Sequence, residues 1–229
     1  MTVADFSKQL KEGTKRSHTA AENTKFVKGF LRGVVNKDSY RVLITNFYFV
    51  YRAMEEEIGN LKDHPIVGPI GSDLLHRTEP LSRDLRYYYG PNWRAIIAPT
   101  EAGQQYVNRI REVAKNDPEL LVAHHYTRYM GDLSGGQILK GIAEKAMVLR
   151  KGEGLHFYQF ENITDARGFK ESYRTILDGL PIEQSMVNAI VAEANYAFRL
   201  NMYMFDELQG NWLASFIKVL FGTVRGKLL

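Results

Sequence analysis

"YTRYMGDLSGGQILKGIAEKAM", residues 126–147, is the stretch whose reading decides the fold. Both ends carry apolar residues at helical spacing, and the middle holds Gly131, Gly135 and Gly136. A glycine inside a helix costs about 1 kcal/mol relative to alanine, so three together cost roughly 3 kcal/mol. Gly131 and Gly135 are four residues apart and bare one helical face, and Gly136 widens the strip. Two uses fit it. A flat or bulky ligand can approach the backbone without meeting a Cβ, or another helix can pack closely. The glycines also permit a bend. Asp132 sits between them with Arg128 one turn earlier. A carboxylate beside an apolar groove can organise water, or it can simply pair with Arg128 along the helix.

Outward from this stretch the pattern stays helical. Residues 4–31 repeat apolar positions at Phe6, Leu10, Ala21 and Phe30, which predicts one N-terminal helix. A second spans 38–62, with Asp38 or Ser39 as N-cap. "DHPIVGPIGSD", residues 63–73, breaks the pattern with two prolines and two glycines. A helix over about 74–90 ends at "YYYGPNW". Thr100 caps another to about 116. Asp117, as N-cap before Pro118, opens the long glycine-interrupted helix, which is expected to reach about 149. Two amphipathic helices follow, over 164–178 and 183–210, with Pro181 between them. No set of alternating strands, repeat or interdomain linker is visible. The expectation is a single all-α domain over residues 1–229, with its core at about 5–210.

Composition narrows the chemistry. The 229 residues include no cysteine, which excludes disulfides, thiolate metal sites, CxxCH attachment and a cysteine nucleophile. The net charge of +4 is spread among acids rather than gathered in a stripe, so nothing indicates nucleic acid. A moderately basic face can attract an anionic ligand or an acidic protein. No run without Asp, Glu, Lys or Arg is longer than that of Val42 to Tyr51, which falls far short of the roughly 20 residues of a membrane span. The polar, acid-containing N-terminus does not read as a signal peptide.

Lys11, Lys15, His18 and Glu22 step by four, three and four along one helix face. A neutral His18 at the border of the apolar stripe can bind a metal, with Glu22 accepting its other ring N–H. The two lysines can meet an anion. The same residues also suit a solvated surface helix. Lys170 and Arg174 are a second cationic pair one turn apart, fit for carboxylates or for solvent. Asn201 interrupts an apolar stripe that includes Phe198 and requires a hydrogen-bond partner. Of the other histidines, His124 and His125 are adjacent and point in different directions. His156 ends "EGLH", formally the Glu-x-x-His of a di-iron bundle but without a second copy. One helix histidine, a glycine-bared helix and four cations together suggest haem held between two helices, with its propionates at the basic residues.

"AHHYTRYMGDLSGGQILKGIAEKA", Ala123 to Ala146, resembles the signature of the haem oxygenases. "LKEGTKRSHTAAENTKFVKGFLRG", Leu10 to Gly33, is similar to that family's proximal helix. "FYFVYRAMEEEI", "PELLVAH", "FKESYR" and "AFRLNMYMFDEL" resemble further family segments in the same order. The likeness runs from about residue 5 to 210 and is nearest to cyanobacterial and algal members.

The resemblance implies oxidative opening of haem b at the α-meso carbon to biliverdin IXα, carbon monoxide and ferrous iron, with dioxygen as co-substrate. His18 matches the proximal iron ligand and Glu22 its neighbour. Gly131 and Gly135 match the distal glycines that crowd the bound oxygen. Asp132 matches the carboxylate of a distal water network, with Arg128, Tyr51 and Asn201 near it. Lys11, Lys15, Tyr126, Lys170 and Arg174 match the propionate side, and Phe198 a wall position. The implied electron donor is reduced ferredoxin or a similar acidic protein. The implied state is a monomer in the cytoplasm, or in the plastid stroma of an alga. A neutral histidine ligand leaves one iron face open. Bare backbone over that face lets oxygen lie along the ring, with a proton delivered from Asp132 through water. The end, residues 211–229, lies outside the likeness and is expected to pack back on the domain or stay disordered, with a membrane-touching tail as the other use. Three alternatives remain at this point: a haem-storing protein without turnover, a thiaminase-like hydrolase, which commonly needs a cysteine, and a helical interaction module.

Overall fold

A computed structural model describes residues 3, 5–150 and 152–225, with side chains as far as residue 208. Its centre is α3, Lys37–Asn60. The N-cap is neither Asp38 nor Ser39 but Asn36, whose side-chain oxygen accepts from the N–H groups of both. A cap must precede the unpaired donors it satisfies. The inner face of α3 buries Leu43, Ile44, Phe47, Val50, Tyr51 and Met54. Each such side chain is worth about 1.5–3 kcal/mol of burial. They pack against α4 (Thr78–Tyr89), α5 (Glu101–Asn116) and α9 (Gln184–Arg225).

Residues 4–31 form two helices rather than one, α1 (Phe6–Glu22) and α2 (Lys25–Leu31). Thr24 makes the break. Its hydroxyl donates to the Ala21 carbonyl at 2.9 Å, closing α1, and accepts from the Val27 N–H at 3.4 Å, opening α2. α4 begins at Thr78, after a 3-10 turn at Asp73–Leu75. The carboxylate of Glu55, on α3, takes the N–H groups of Arg77 and Thr78. This cap comes from another helix, so local sequence carries no sign of it. Thr100 caps α5 as expected, accepting from Gly103. Asp117 precedes Pro118, but its side chain caps nothing. Its backbone carbonyl accepts from Leu120 within the 3-10 turn Pro118–Leu120.

The stretch expected as one helix to about 149 is three pieces. α6 (Leu121–His125) leads into a π-helical turn, Tyr126–Met130, and then α7 (Gly131–Ala146). The ladder thus changes just before the glycines, which themselves lie in regular α-helix. Such π turns insert one residue and re-aim side chains, often at functional sites. α8 (Ala166–Asp178) is capped by Asp165, which accepts from Arg167 and Gly168. α9 continues past the expected residue 210 to Arg225. The side chains of its last part, and so the expected packing of the tail, lie outside the described residues.

The described residues contain no strand, so the all-α expectation holds. No described helix is long and apolar enough to cross a membrane. α1 lies along α9 and also meets α8. Gly13 allows that approach: a Cβ there would come within 2.5 Å of Val191 Cγ1. Asn195 pins the contact, accepting from the Ser17 hydroxyl at 2.5 Å and donating to the Gly13 carbonyl at 3.1 Å.

Candidate active site

The π turn and the start of α7 aim Arg128 and Asp132 inward, toward Tyr51 on α3 and Asn201 on α9. The Arg128 Nε–H donates to the Tyr51 hydroxyl at 3.0 Å, and Nη1–H donates to Asn201 Oδ1 at 2.6 Å. The Tyr51 hydroxyl in turn donates to Asp132 Oδ2 in a short hydrogen bond. Arg128 Nη2 and Asp132 Oδ1 are 3.5 Å apart. The intrahelical ion pair is therefore present, but as one edge of a buried four-residue network. Asn201 finds the partner it required, and its amide N–H also reaches the Ala197 carbonyl at 2.8 Å. The guanidinium of Arg128 lies 4.2 Å from the centre of the Phe47 ring. Phe47 was not among the expected site residues, although it stands one turn before Tyr51.

Burial sets the electrostatics. It pushes the Asp132 carboxyl above the usual range, and the opposing pull of Arg128 and the Tyr51 hydroxyl does not cancel that rise. Burial likewise raises Tyr51, which keeps its proton and remains a donor. Burial works against the Arg128 charge, yet Tyr51 and Asp132 hold the guanidinium firmly protonated.

Beside this network is a half-open cleft of about 150 Å³. Its walls are aromatic and aliphatic, among them Phe26, Phe30, Leu139 and Phe205, with Gly131, Asp132 and Gly136 on the α7 side. A Cβ on Gly131 or Gly135 would meet no atom within 4 Å, and one on Gly136 would only touch Tyr158 at 3.4 Å. Close helix packing is thus not what Gly131 and Gly135 serve. A more open hollow of about 320 Å³ between α5 and α9 is lined by Glu101, Asp206 and Glu207. Its acidic rim does not suit an anionic ligand.

On α1 the His18 ring is half exposed, its Nδ1 3.6 Å from Glu22 Oε1, longer than a hydrogen bond. The ring meets Phe198 edge-on at 5.8 Å. His18 Nε2 has no partner among the described residues. Lys11 and Lys15 are exposed and make no described ion pair. On α8, Lys170 Nζ donates to the Ser134 hydroxyl of α7 at 3.3 Å. Arg174 stands close enough to Tyr126 to oppose the rise that burial produces in the phenol. α8 thus brings its two cations to the ends of the π turn and α7.

Three of the other histidines are structural. His124 Nε2 meets Glu193 at 3.0 Å, and Glu193 also takes a two-pronged bond from Arg109. His125 Nδ1 lies 2.8 Å from the Tyr173 hydroxyl. His156 Nδ1 lies 2.8 Å from Asp84 Oδ1, so "EGLH" serves a loop anchor. No group of three or more histidines and carboxylates suited to a metal occurs among the described residues.

Fold and cleft together define an all-helical protein of the haem oxygenase architecture. The crystal structure of heme oxygenase-1 from the cyanobacterium Synechocystis sp. in complex with heme matches with a TM-score of 0.91 and 53% identity, over 96% of this chain and 100% of that one. The heme oxygenase 1 of Nostoc sp. is 52% identical, over 98% of this chain and 94% of its own length. The heme oxygenase of Porphyra purpurea is 52% identical, over 97% and 94%. The family model for heme oxygenase matches residues 4–207. The chain belongs to the haem oxygenase family.

Proposed function

We propose that this protein binds haem b between α1 and α7 and opens it at the α-meso carbon, yielding biliverdin IXα, carbon monoxide and ferrous iron. Haem degradation is the activity of its family; the regiochemistry, the ligand and the donor are our reading. The observation that carries it is a glycine face of α7 open to a cleft, with a largely buried carboxylate held by Tyr51 and Arg128 beside it. The residues suit haem in three respects. The cavity wall is apolar, the bare strip of α7 admits a flat ring, and the half-exposed His18 imidazole offers a free nitrogen. The cavity alone is smaller than the roughly 300–1,000 Å³ of typical cofactor sites. The haem would therefore need space beyond this cavity.

His18 would ligate the iron, with Glu22 orienting the ring. Lys11, Lys15, Lys170 and Arg174, with Tyr126, would hold the propionates, since cations in two pairs match two carboxylates. Haem supplies both the iron that activates dioxygen and the ring that is cut. Gly131 and Gly135 would leave the approach beside Asp132 free of side chains. Asp132 holds a proton site at Oδ1 and Oδ2, kept in place by Tyr51 and Arg128, and exchanges it with water in the cleft. Its raised proton affinity suits it to that exchange. Electrons would come from reduced ferredoxin or a similar acidic donor, drawn by the basic groups near the cleft. The protein would act as a monomer through its core at about 5–210.

Asp132→Leu tests the reading. Haem affinity should stay within about threefold, and biliverdin formation with reductant and oxygen should fall at least about a hundredfold. Biliverdin made at the wild-type rate by this variant would overturn the role of Asp132 and with it the mechanism.

A further inference from the structure

Among the buried titratable groups near the site that the mechanism leaves unused is a histidine. His125 is the last residue of α6, immediately before the π turn, and is 1% exposed. Its ring is held between two tyrosines. Tyr129 lies 4.6 Å away by ring centres, and Tyr173 stacks on it at 5.4 Å with 13° between the planes. The Tyr173 hydroxyl is 2.8 Å from His125 Nδ1. Burial keeps His125 neutral, with its pKa pushed down to about 3. Burial also raises Tyr173, so the phenol keeps its proton. A phenol is the better donor of the two, so Tyr173 O–H donates and Nδ1 accepts.

Tyr173 sits on α8 between Lys170 and Arg174. α8 itself is a bridge. Near its end, Asp178 accepts from the Ser7 N–H at 2.7 Å and the Ser7 hydroxyl at 3.0 Å, tying α8 to the start of α1. At its other end Lys170 reaches Ser134 of α7. Between these ties, the buried His125–Tyr173 bond fixes α8 against the end of α6, just before the π turn. We infer that His125 and Tyr173 form a positioning pair that sets where Lys170 and Arg174 stand relative to α7, and so selects which meso carbon of the bound ring faces Asp132. This inference rests on the proposed haem site. It assigns the pair no contact with haem.

The test uses the full chain. Tyr173→Phe deletes one oxygen and keeps the stack. In the ligand-free protein, amide hydrogen exchange across α8 should accelerate by about tenfold, the size of one lost buried hydrogen bond. In the haem-loaded protein, a second biliverdin isomer should rise to roughly one tenth of the product or more, since small displacements at a site redirect chemistry. His125→Leu removes the acceptor and should do the same. His125→Asn, whose side-chain oxygen can stand where Nδ1 does, should restore a single isomer. A single unchanged isomer from Tyr173→Phe or His125→Leu overturns the pair's role, even if α8 exchanges faster. Mixed isomers from His125→Asn overturn the acceptor assignment. A wild-type chain that binds no haem would instead overturn the functional reading, and this inference with it.

Discussion

The two sides of the proposed haem site are finished to different degrees. On the α7 side, every side chain of the network is committed: Arg128 bonds Tyr51 and Asn201 and pairs with Asp132, and Tyr51 bonds Asp132. On the α1 side, His18 has one partner beyond hydrogen-bond range, and Lys11 and Lys15 have no described ion pair. Burial explains the contrast. A charge out of water without partners is costly, so the α7 side must be complete before any ligand arrives. His18 is half exposed and water satisfies it, so nothing in the fold forces it to find a partner. The backbone of α1 is nonetheless firmly seated, through Gly13 and Asn195. The α7 side is thus arranged by folding, while on the proposed reading the α1 side presents groups whose partners would come with the ligand.

The largest expected effect tests the finished side. Arg128→Met leaves Asp132 buried without its cation and Asn201 without its donor, and should cost about 3–5 kcal/mol of stability. Urea unfolding of the ligand-free protein checks it. A loss under about 1 kcal/mol would mean the network is not under folding control. The next effect concerns the continuation of this side at α6 and α9. Burial pushes Glu193 up, but its hydrogen bonds with Arg109 and His124 outweigh that and hold it near 2, below its ordinary 4.5. A lowered carboxyl contributes stability above its unfolded value and loses it as pH falls through the folded one. Roughly 3 kcal/mol should therefore disappear between about pH 4.5 and 2. In Glu193→Gln that part of the acid slope should be absent when unfolding is followed against pH.

The smallest effect tests the open side. His18→Ala should change the stability of the ligand-free protein by less than about 0.5 kcal/mol, as for an exposed position. The same variant should lose the visible spectrum of histidine-ligated haem, and added imidazole should partly restore it. A large stability loss without haem would end the distinction between the two sides. An unchanged haem spectrum would remove His18 as the ligand.

The legibility of the site follows the same division. His18, Glu22 and the lysines were readable because helical spacing alone places them on one face. The glycine strip was readable for the same reason, but its purpose was not. Either a ligand or a neighbouring helix could have met it, and only the emptiness around Gly131 and Gly135 decided between them. The same holds for Asp132, where the local pair with Arg128 was visible and the link to Tyr51 was not. The break at Thr24 was missed because the apolar period runs on across it. The π turn at Tyr126–Met130 was missed because no residue in "YTRYM" marks it.

What the sequence by itself determined is what short-range geometry controls: the all-α class, most of the helices, and which residues share a face. The near-unbroken likeness to one family also placed the candidate site along the chain. Tertiary structure alone decided the partners. Tyr51 and Arg128 are 77 residues apart, and Arg128 and Asn201 are 73 apart. Glu55 caps a helix that begins 23 residues later. A helix repeats every 3.6 residues and fixes its own neighbours. It carries no information about which distant polar group will be buried against it, and that choice is made only when the helices pack and polar groups leaving water pair with one another.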